Sequence, residues 1–201
     1  MKPVILITSC MYHLVRNEQC RATWLAQWSH LIDYRFILGQ GYYPKFEDEL
    51  VLPVDDTYSG LPAKIQASHK WALEQGYDFI LKTDCDVYMH IPRLLESGFE
   101  KYPYSGNIFW PEARHKFAIG AAYWLNKEAS EILVNEPLPP YGMDGGDDMW
   151  VGRVMNAHNI SCHHESRYYI GENPNYDTFI TLHTSGPPKL NMMDIHQKCV
   201  Q

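Results

Sequence analysis

The stretch VILIT at residues 4–8 is continuous, apolar and rich in β-branched side chains. Such a run is typical of a parallel strand that is buried on both faces. Residues 17–30 follow with apolar side chains at helical spacing, and FIL at residues 36–38 returns to the pattern of a strand. The order of strand, helix and strand predicts an α/β fold in which the first strand lies centrally in the sheet.

The rest of the first half repeats this alternation. A short strand is expected at residues 50–52, and the helix that follows carries Leu61 and Ile65 on its buried face and is closed by Gly76. FIL at residues 79–81 is another buried strand. The second half is less regular, with a helix at 92–99, strands near 107–110 and 121–125, a loop rich in proline and glycine at 136–146, a helix at 147–157 and a strand at 179–182. These elements predict a mixed sheet flanked by helices, with ligands at the carboxyl ends of its strands.

Length and charge narrow the possible functions. With 201 residues and 45% hydrophobic content, the chain fits a single domain with one core. The 24 acidic and 17 basic side chains give a net charge of −7, which argues against nucleic acid or an anionic membrane as a partner. An anionic ligand must therefore be held locally, by a few converging cations or by a metal ion.

The cysteines and the N-terminal residues bear on the cellular location of the protein. The five cysteines are an odd number without a CxxC pair, so neither a disulfide framework nor a zinc knuckle is indicated. The apolar run at residues 4–7 is shorter than a signal sequence or a membrane span of about 20 residues. We expect no integral membrane segment and a cytoplasmic location.

A first candidate site follows the strand at residues 79–81. The segment KTDCD at 82–86 places Asp84 and Asp86 one residue apart at a strand end. Two such carboxylates can converge on one divalent cation, which in turn can bridge the oxygens of a diphosphate. The alternative is a DxD sequence that arises by chance or caps a helix without binding anything.

A second candidate site is HTSGPPK at residues 183–189, which follows the last predicted strand. His183 can offer an imidazole to the same metal ion, and Lys189 can offer an ammonium group to phosphate. An imidazole ligand favours Mn²⁺ over Mg²⁺. The alternative for His183 is an ordinary exposed histidine.

A third candidate site is GGDDMWVG at residues 145–152, which begins a predicted helix. Asp147 or Asp148 can serve as a general base that takes the proton from an attacking hydroxyl. The alternative is that both acids only stabilise the helix start.

Six segments together resemble known sequence motifs. RNEQCRATW (16–24) is similar to RRxxIRxTW, FILG (36–39) to FLLG, DTYSGLPAK (56–64) to DxYxNLTLK, KTDCDV (82–87) to KxDDDV, IGAAYWL (119–125) to GxGYVLS, and DDMWVG (147–152) to EDVxxG. They occur in the order found in the beta-1,3-galactosyltransferase and fringe-like glycosyltransferases. The chain departs from these motifs at Cys85, which replaces the middle aspartate, at Gly60, which replaces an asparagine, and at Asp147, which replaces a glutamate. Residues 1–201 contain no segment like the membrane anchor, stem and disulfide pattern usual in the family, so we do not expect the resemblance to imply a Golgi location.

The resemblance implies a Rossmann-like GT-A domain over residues 1–201, with a donor half (1–90) and an acceptor half (91–201) that ends in a metal- and phosphate-binding tail. The implied activity is an inverting hexosyl transfer from a UDP-sugar to an acceptor hydroxyl, on a glycan, with Mn²⁺ or Mg²⁺ and with Asp148 as the catalytic base and Asp147 as the second choice. The metal ligands would be Asp84, Asp86 and His183. The nucleotide would contact Thr8, Ser9, Arg16, Arg21, Asp56, Lys64, Asp84 and Cys85, with Lys189 closing over the diphosphate.

Several alternatives stay open. The tail HTSGPPK resembles the HxxGxxK of glycogenin-type retaining enzymes, which have the opposite stereochemistry. Arg16 and Arg21 can instead pair with nearby acids, and Lys64 can lie in solvent on an amphipathic helix. Tyr141 is a candidate surface for sugar stacking. The rival functions are a non-catalytic module that binds a nucleotide-sugar or glycan, and a sugar nucleotidyltransferase, which would carry a glycine-rich loop where residues 8–13 have no glycine.

Overall fold

The computed structural model of the protein describes residues 1–108, 116–142, 146–170, 174–185 and 189–200. The strands in these parts of the chain, in order, are β1 (Pro3–Thr8), β2 (Asp33–Leu38), β3 (Glu49–Val51), β4 (Phe79–Asp84), β5 (Val87–Met89), β6 (Tyr104–Gly106), β7 (Ala122–Asn126), β8 (His163–His164), β9 (Tyr168–Tyr169) and β10 (Thr181–His183). The α-helices are α1 (Leu14–Cys20), α2 (Ala26–Trp28), α3 (Leu61–Glu74), α4 (Ile91–Leu95), α5 (Lys127–Asn135), α6 (Gly146–Ala157) and α7 (Met192–Cys199).

A seven-stranded mixed sheet has the order β3-β2-β1-β4-β7-β6-β8. β1 lies between β2 and β4 and is parallel to both, and residues 4–7 are buried. The prediction of a central, parallel first strand is therefore confirmed. β7 pairs antiparallel with β4 and with β6, so the sheet changes direction beside β4. Because β1 and β4 are parallel, their carboxyl ends, Thr8 and Asp84, lie at the same edge of the sheet.

A second sheet has three strands in the order β5-β10-β9. β10 runs antiparallel to β5 and parallel to β9, and His183 lies opposite Val87. This pairing carries the end of β10 to the turn between β4 and β5. The small sheet therefore joins two segments that are far apart in the sequence.

Helices cover the large sheet. α3 begins with a proline at its first turn and is followed by Gly76, whose φ of +77° is the left-handed conformation that ends a helix at glycine. This confirms the predicted end of that helix. α3 packs near β1, β2 and β4, whereas α1 and α7 pack on the large apolar cluster that contains Trp24 and Trp124. The structure confirms the predicted α/β domain, in which helices flank a mixed sheet.

Some predicted elements are wrong in extent. The helix expected at residues 17–30 begins at Leu14 and is interrupted by a π-helical segment, Arg21–Leu25, in which Thr23 has φ −120° and ψ −107°. The helix expected at 92–99 ends at Leu95, and Gly98, with a left-handed φ of +79°, begins a separate 3-10 turn at Phe99–Lys101. The strand expected near 107–110 is β6, at 104–106, and residues 109–110 lie outside the described residues.

Other elements were not predicted at all. α5 and α7 are short helices with many polar residues, and each begins at an asparagine whose side chain caps it, Asn126 in α5 and Asn191 in α7. The two-residue strands β8 and β9 are too short to leave a pattern in the sequence. In the described parts of the chain, no helix has both the length and the apolar character needed to cross a membrane. The cytoplasmic location stays a prediction.

Candidate functional site

The carboxyl ends of β1 and β4 open into a cavity of about 270 Å³, which we call the strand-end cavity. Eight residues selected from the sequence line it: Thr8, Ser9, Arg16, Asp56, Lys64, Asp84, Cys85 and Asp86. Five others that the sequence analysis did not select complete the lining: Cys10, His13, Thr57, Tyr58 and Leu61. The structure thus brings together side chains from three separate segments of the chain, residues 8–16, 56–64 and 84–86.

Lys64 is buried in the wall of this cavity rather than solvated on α3. Its ammonium group donates to Asp56 Oδ1 at 2.6 Å and to the carbonyl of Ser9 at 2.8 Å. Asp56 also accepts the backbone N–H groups of Gly39 and Met11, at 2.6 and 2.8 Å. A Cβ at Gly39 would lie 2.7 Å from Cβ of Asp56, so only glycine permits this approach. Lys64 and Asp56 therefore hold the cavity wall together.

The end of β1 presents polar groups to the cavity. The hydroxyl of Thr8 is buried and has no hydrogen-bond partner among the described residues. Ser9 Oγ donates to Oδ1 of Asn17 at 2.7 Å, and the buried amide nitrogen of Asn17 also has no partner among those residues. An unsatisfied buried polar group is costly unless a ligand or water bonds to it. The wall at Thr8 is therefore suited to a polar ligand. Asn17 carried no sequence signal that would have singled it out.

Cys85 also lines the cavity but is almost completely buried. Burial raises the pKa of its thiol to about 12. The side chain is therefore neutral at physiological pH, and in the sequence it separates Asp84 from Asp86.

Asp86 lies at the centre of a polar cluster beside the small sheet. It accepts from Arg16 Nη1 at 3.0 Å and from Ser185 Oγ at 2.6 Å, and Nε2 of His183 lies 3.5 Å from its Oδ1. Burial alone would raise the pKa of Asp86, but the hydrogen bonds with His183 and Ser185 hold it well below its usual range. The hydrogen bond with Asp86 raises the pKa of His183. Ser185 was not selected from the sequence.

Lys82 connects Asp84 to the acidic start of α6. The lysine is buried, and its ammonium group lies 2.8 Å from Asp84 Oδ1 and 3.4 Å from Asp147 Oδ2. It also donates to the carbonyl of Gly120. Burial alone would lower the pKa of Lys82, but the carboxylates of Asp147 and Asp84 raise it above its usual range. Lys82 is therefore a permanent cation beneath the candidate site.

A second cavity, of about 380 Å³, contains the acids of α6. Asp84, Asp147, Asp148 and His183 line it together with Tyr58 and Gly120. We call it the acid cavity. Because Asp84 and Tyr58 line both the acid cavity and the strand-end cavity, the two spaces adjoin.

Asp148 is better placed than Asp147 to contact a ligand in the acid cavity. Asp147 is buried beside Lys82, with the hydroxyl of Tyr123 at 3.4 Å. Asp148 is partly exposed and accepts the N–H of Gly120 at 3.0 Å and of Met149 at 2.8 Å. Burial raises the pKa of Asp148, and the neighbouring Asp147 raises it further.

The structure does not bring Arg21 to either cavity. Its guanidinium group pairs with Asp48 at 2.6 Å and with Glu49 at 3.0 Å. It also lies over the rings of Phe36 and Phe46, 4.6 and 4.1 Å from their centroids. Arg21 thus joins the π-helical segment to β2 and β3, which is one of the alternatives left open by the sequence.

The tail of the motif HTSGPPK is only partly described. Lys189 is exposed and lines neither cavity, and residues 186–188 lie outside the described residues, as does Gly145 at the start of GGDDMWVG. The expected approach of Lys189 to a diphosphate stays a prediction.

The metal ligands expected from the sequence are close but do not form a complete cluster. Within the described residues, no group of three or more histidine, cysteine, aspartate or glutamate side chains is arranged to hold a metal ion. Asp86 and His183 are neighbours, and Asp84 shares one cavity with each of them. The three-ligand metal site therefore stays a prediction, of which the described residues show the Asp86–His183 pair and a nearby Asp84.

Comparisons with known proteins give distant relatives. No family model matches the chain. The chain is 32% identical over 75 residues to the UDP-GalNAc:beta-1,3-N-acetylgalactosaminyltransferase 2 of Xenopus tropicalis, covering 37% of this chain and 15% of the relative. It is 29% identical over 147 residues to the enzyme of the same name from Xenopus laevis, covering 61% of this chain and 30% of the relative. The chain therefore spans less than a third of the length of these relatives.

Solved structures match over nearly the whole chain. A glycosyltransferase involved in the glycosylation of the major capsid of PBCV-1 has a TM-score of 0.58 at 13% identity, with 99% of this chain and 98% of the other covered. The galactosyltransferase LgtC, in complex with donor and acceptor sugar analogs, has a TM-score of 0.53 at 12% identity, with 98% and 95% covered. Drosophila beta-1,4-galactosyltransferase 7, a mutant in complex with manganese, UDP-Gal and xylobiose, has a TM-score of 0.58 at 12% identity, with 95% and 75% covered. At these identities the matches establish architecture: the chain is a mixed α/β domain with the fold of the GT-A glycosyltransferases.

Proposed function

We propose that the protein is a metal-dependent hexosyltransferase that moves a sugar from a UDP-sugar to an acceptor hydroxyl on a glycan. The observation that carries the proposal is the convergence of Asp84, Asp86 and His183 with Asp148 around two adjoining cavities. The names of the relatives, which include a UDP-GalNAc beta-1,3-transferase, and the manganese and UDP-Gal of one structural neighbour support the same reading. Residues 1–90 would form the donor half and residues 91–201 the acceptor half.

The donor would occupy the strand-end cavity. The free hydroxyl of Thr8 and the groups around Ser9 suit the polar nucleoside, and the Lys64–Asp56 pair keeps the wall in place. Arg16 lines this cavity beside Asp86, and its charge suits a diphosphate. Lys189 would approach the diphosphate from the C-terminal tail.

Asp84, Asp86 and His183 would hold the divalent cation, with Mn²⁺ favoured by the imidazole. When bound, this cation would neutralise charge on the departing diphosphate, so no protein acid is needed there. Burial raises the pKa of Asp84 to about 6, and the Lys82 ammonium group, 2.8 Å away, opposes this rise. The same ammonium group compensates the charge of Asp147.

Asp148 would act as the general base. Its carboxylate lines the acid cavity next to Asp84, and the N–H groups of Gly120 and Met149 fix its orientation. A carboxylate whose pKa is raised is a stronger base at neutral pH than an ordinary one. It would take the proton of the acceptor hydroxyl while that oxygen attacks the anomeric carbon, which inverts the configuration. Asp147 is less suitable, because it is buried against Lys82.

The decisive experiment incubates the protein with Mn²⁺ and, separately, UDP-GalNAc, UDP-Gal, UDP-GlcNAc and UDP-Glc, and measures UDP release with water as the acceptor. Slow hydrolysis of at least one donor, abolished by EDTA, is expected of a transferase. A non-catalytic module would bind donor without releasing UDP. A nucleotidyltransferase would instead release pyrophosphate from UTP and a sugar 1-phosphate, and either of these results would refute the proposal.

A further inference from the structure

A third cavity, of about 590 Å³, lies between the start of α3 and the proline-rich segment that precedes α6. We call it the tyrosine cleft. Its lining includes Asp55, Tyr58, Leu138, Pro140, Tyr141 and Gly146. Both tyrosines are 73% exposed, and Leu138 is 45% exposed. Large exposed apolar side chains gathered in one concave surface commonly mark a binding site.

Hydrogen bonds link the two sides of the cleft. Tyr141 donates its hydroxyl to the carboxylate of Asp55 and lies 3.2 Å from Oγ1 of Thr57, which itself donates to Asp55 at 2.7 Å. These bonds tie the proline-rich segment to the loop before α3. They also lower the pKa of Asp55, so this acid is ionised at neutral pH and offers only hydrogen-bond acceptors.

The tyrosine cleft is continuous with the proposed reaction site. Tyr58 lines all three cavities. A Cβ at Gly146 would lie 3.1 Å from the hydroxyl of Tyr58 and 3.3 Å from Oδ1 of Asp148. The backbone of Gly146 therefore lies directly beside both groups. Gly146 lines the tyrosine cleft and Asp148 lines the acid cavity, so the two spaces adjoin at this glycine.

The chemistry of the cleft indicates its ligand. A pyranose has a C–H face that packs on an aromatic ring and a rim of hydroxyl groups that donate hydrogen bonds, and Tyr141 and Asp55 match these two parts. The negative charge of Asp55 disfavours a phosphate, a nucleotide or an acidic sugar. We propose that the tyrosine cleft binds a neutral pyranose residue of the acceptor glycan, with Tyr141 packed on its C–H face and Asp55 accepting from its hydroxyls. This inference rests on the proposed function, because only a transferase has an acceptor.

The test is saturation-transfer-difference NMR with three neutral probes: methyl β-D-galactopyranoside, methyl β-D-glucopyranoside and methyl N-acetyl-β-D-glucosaminide. At least one probe is expected to bind wild-type protein and to receive most saturation on the protons of one face. Tyr141→Ala should weaken this binding about fivefold, since the ring surface is lost. Tyr141→Phe keeps the ring and should retain most of the binding. Tyr43→Ala, which removes an exposed tyrosine outside the cleft, is the matched control.

Other results would overturn the inference. Binding of no probe, or binding that is equal in wild type and Tyr141→Ala, excludes the cleft as a sugar site. Perturbation of Tyr141 by UDP would make it a nucleotide site instead. Because these measurements need no turnover, they are independent of donor hydrolysis. If the protein hydrolyses a UDP-sugar but shows no Tyr141-dependent glycoside binding, the proposed function stands and this inference is refuted. If it binds a glycoside through Tyr141 but hydrolyses no UDP-sugar, the proposed function is refuted.

Discussion

Nε2 of His183 lies 3.5 Å from Oδ1 of Asp86, although nearly half of the chain separates the two residues. The antiparallel pairing of β5 with β10 causes this proximity, because it sets His183 opposite Val87. The backbone N–H of Thr184 also donates to the carbonyl of Asp86, at 2.8 Å. A carboxylate and an imidazole that arise from different motifs are thus positioned as one donor pair.

Asp86→Asn tests this pair as part of a metal site. The substitution keeps an oxygen that can accept from Ser185 and Arg16, so we expect the fold to survive. It removes the negative charge that would bind the cation, and UDP affinity in the presence of Mn²⁺ should fall at least about tenfold. Calorimetric titration with UDP measures this, with Asp194→Asn on the exposed side of α7 as the control. Equal UDP affinity in Asp86→Asn and wild type would exclude Asp86 as a metal ligand.

Lys189→Ala tests whether the C-terminal tail reaches the diphosphate. If it does, the variant should lose about threefold to fivefold in affinity for UDP and little for uridine, because only UDP carries phosphate charge. The loss should shrink at high salt. Lys70→Ala removes an exposed lysine of α3 and serves as the control. Equal losses for UDP and uridine would show that Lys189 does not contact the diphosphate.

Asp148→Asn tests the chemical step. Loss of a general base typically costs about 10²–10⁴ in rate, so turnover should fall by that factor while UDP affinity stays close to wild type. The amide can still accept from Gly120, which keeps the side chain in place. NMR analysis of the product anomer from the wild-type enzyme decides the stereochemistry independently. A retained configuration would rule out direct displacement with Asp148 as base, whatever the variant rates.

His69 gives a prediction about stability that does not involve the candidate site. The side chain is buried in α3, with Nδ1 3.1 Å from Ser130 Oγ, and burial lowers its pKa from 6.5 to about 3. Between these values the unfolded chain binds more protons than the native protein, so the free energy of unfolding decreases as the pH falls below 6.5. At pH 5 the titration of His69 alone lowers the free energy of unfolding by about 2 kcal/mol relative to pH 7.

His69→Asn should therefore be less sensitive to acid than wild type. The amide can still bond to Ser130 but does not titrate, and the cavity it leaves should lower stability at every pH. Urea unfolding at pH 7 and at pH 5 gives the free energy of unfolding at each pH, and the difference between them is compared for wild type and variant. His30→Asn, which changes an exposed histidine, is the control. The same pH dependence in His69→Asn and wild type would mean that buried His69 does not cause the acid sensitivity.

The sequence by itself determined the parts of the fold that depend on local pattern. VILIT predicted a buried central strand, and Gly76 marked the end of α3, because hydrophobic runs and a left-handed glycine act over a few residues. The order of the motifs also predicted the GT-A fold and placed Asp84 at a strand end. In the structure β4 extends through Asp84, so the first carboxylate belongs to the strand itself.

Only the tertiary structure decided which side chains meet. Arg21 and Lys64 are both basic residues in segments that resemble glycosyltransferase motifs. Lys64 is buried in the wall of the strand-end cavity, whereas Arg21 pairs with Asp48 away from that cavity. Asn17 and Ser185 carry no local signal, and the sequence singled out Tyr141 but not the cleft that it lines. Their positions follow from the pairing of β5 with β10 and from the packing of α3 against the loop before α6. Such contacts join residues that are far apart along the chain, so no periodic pattern in the sequence predicts them.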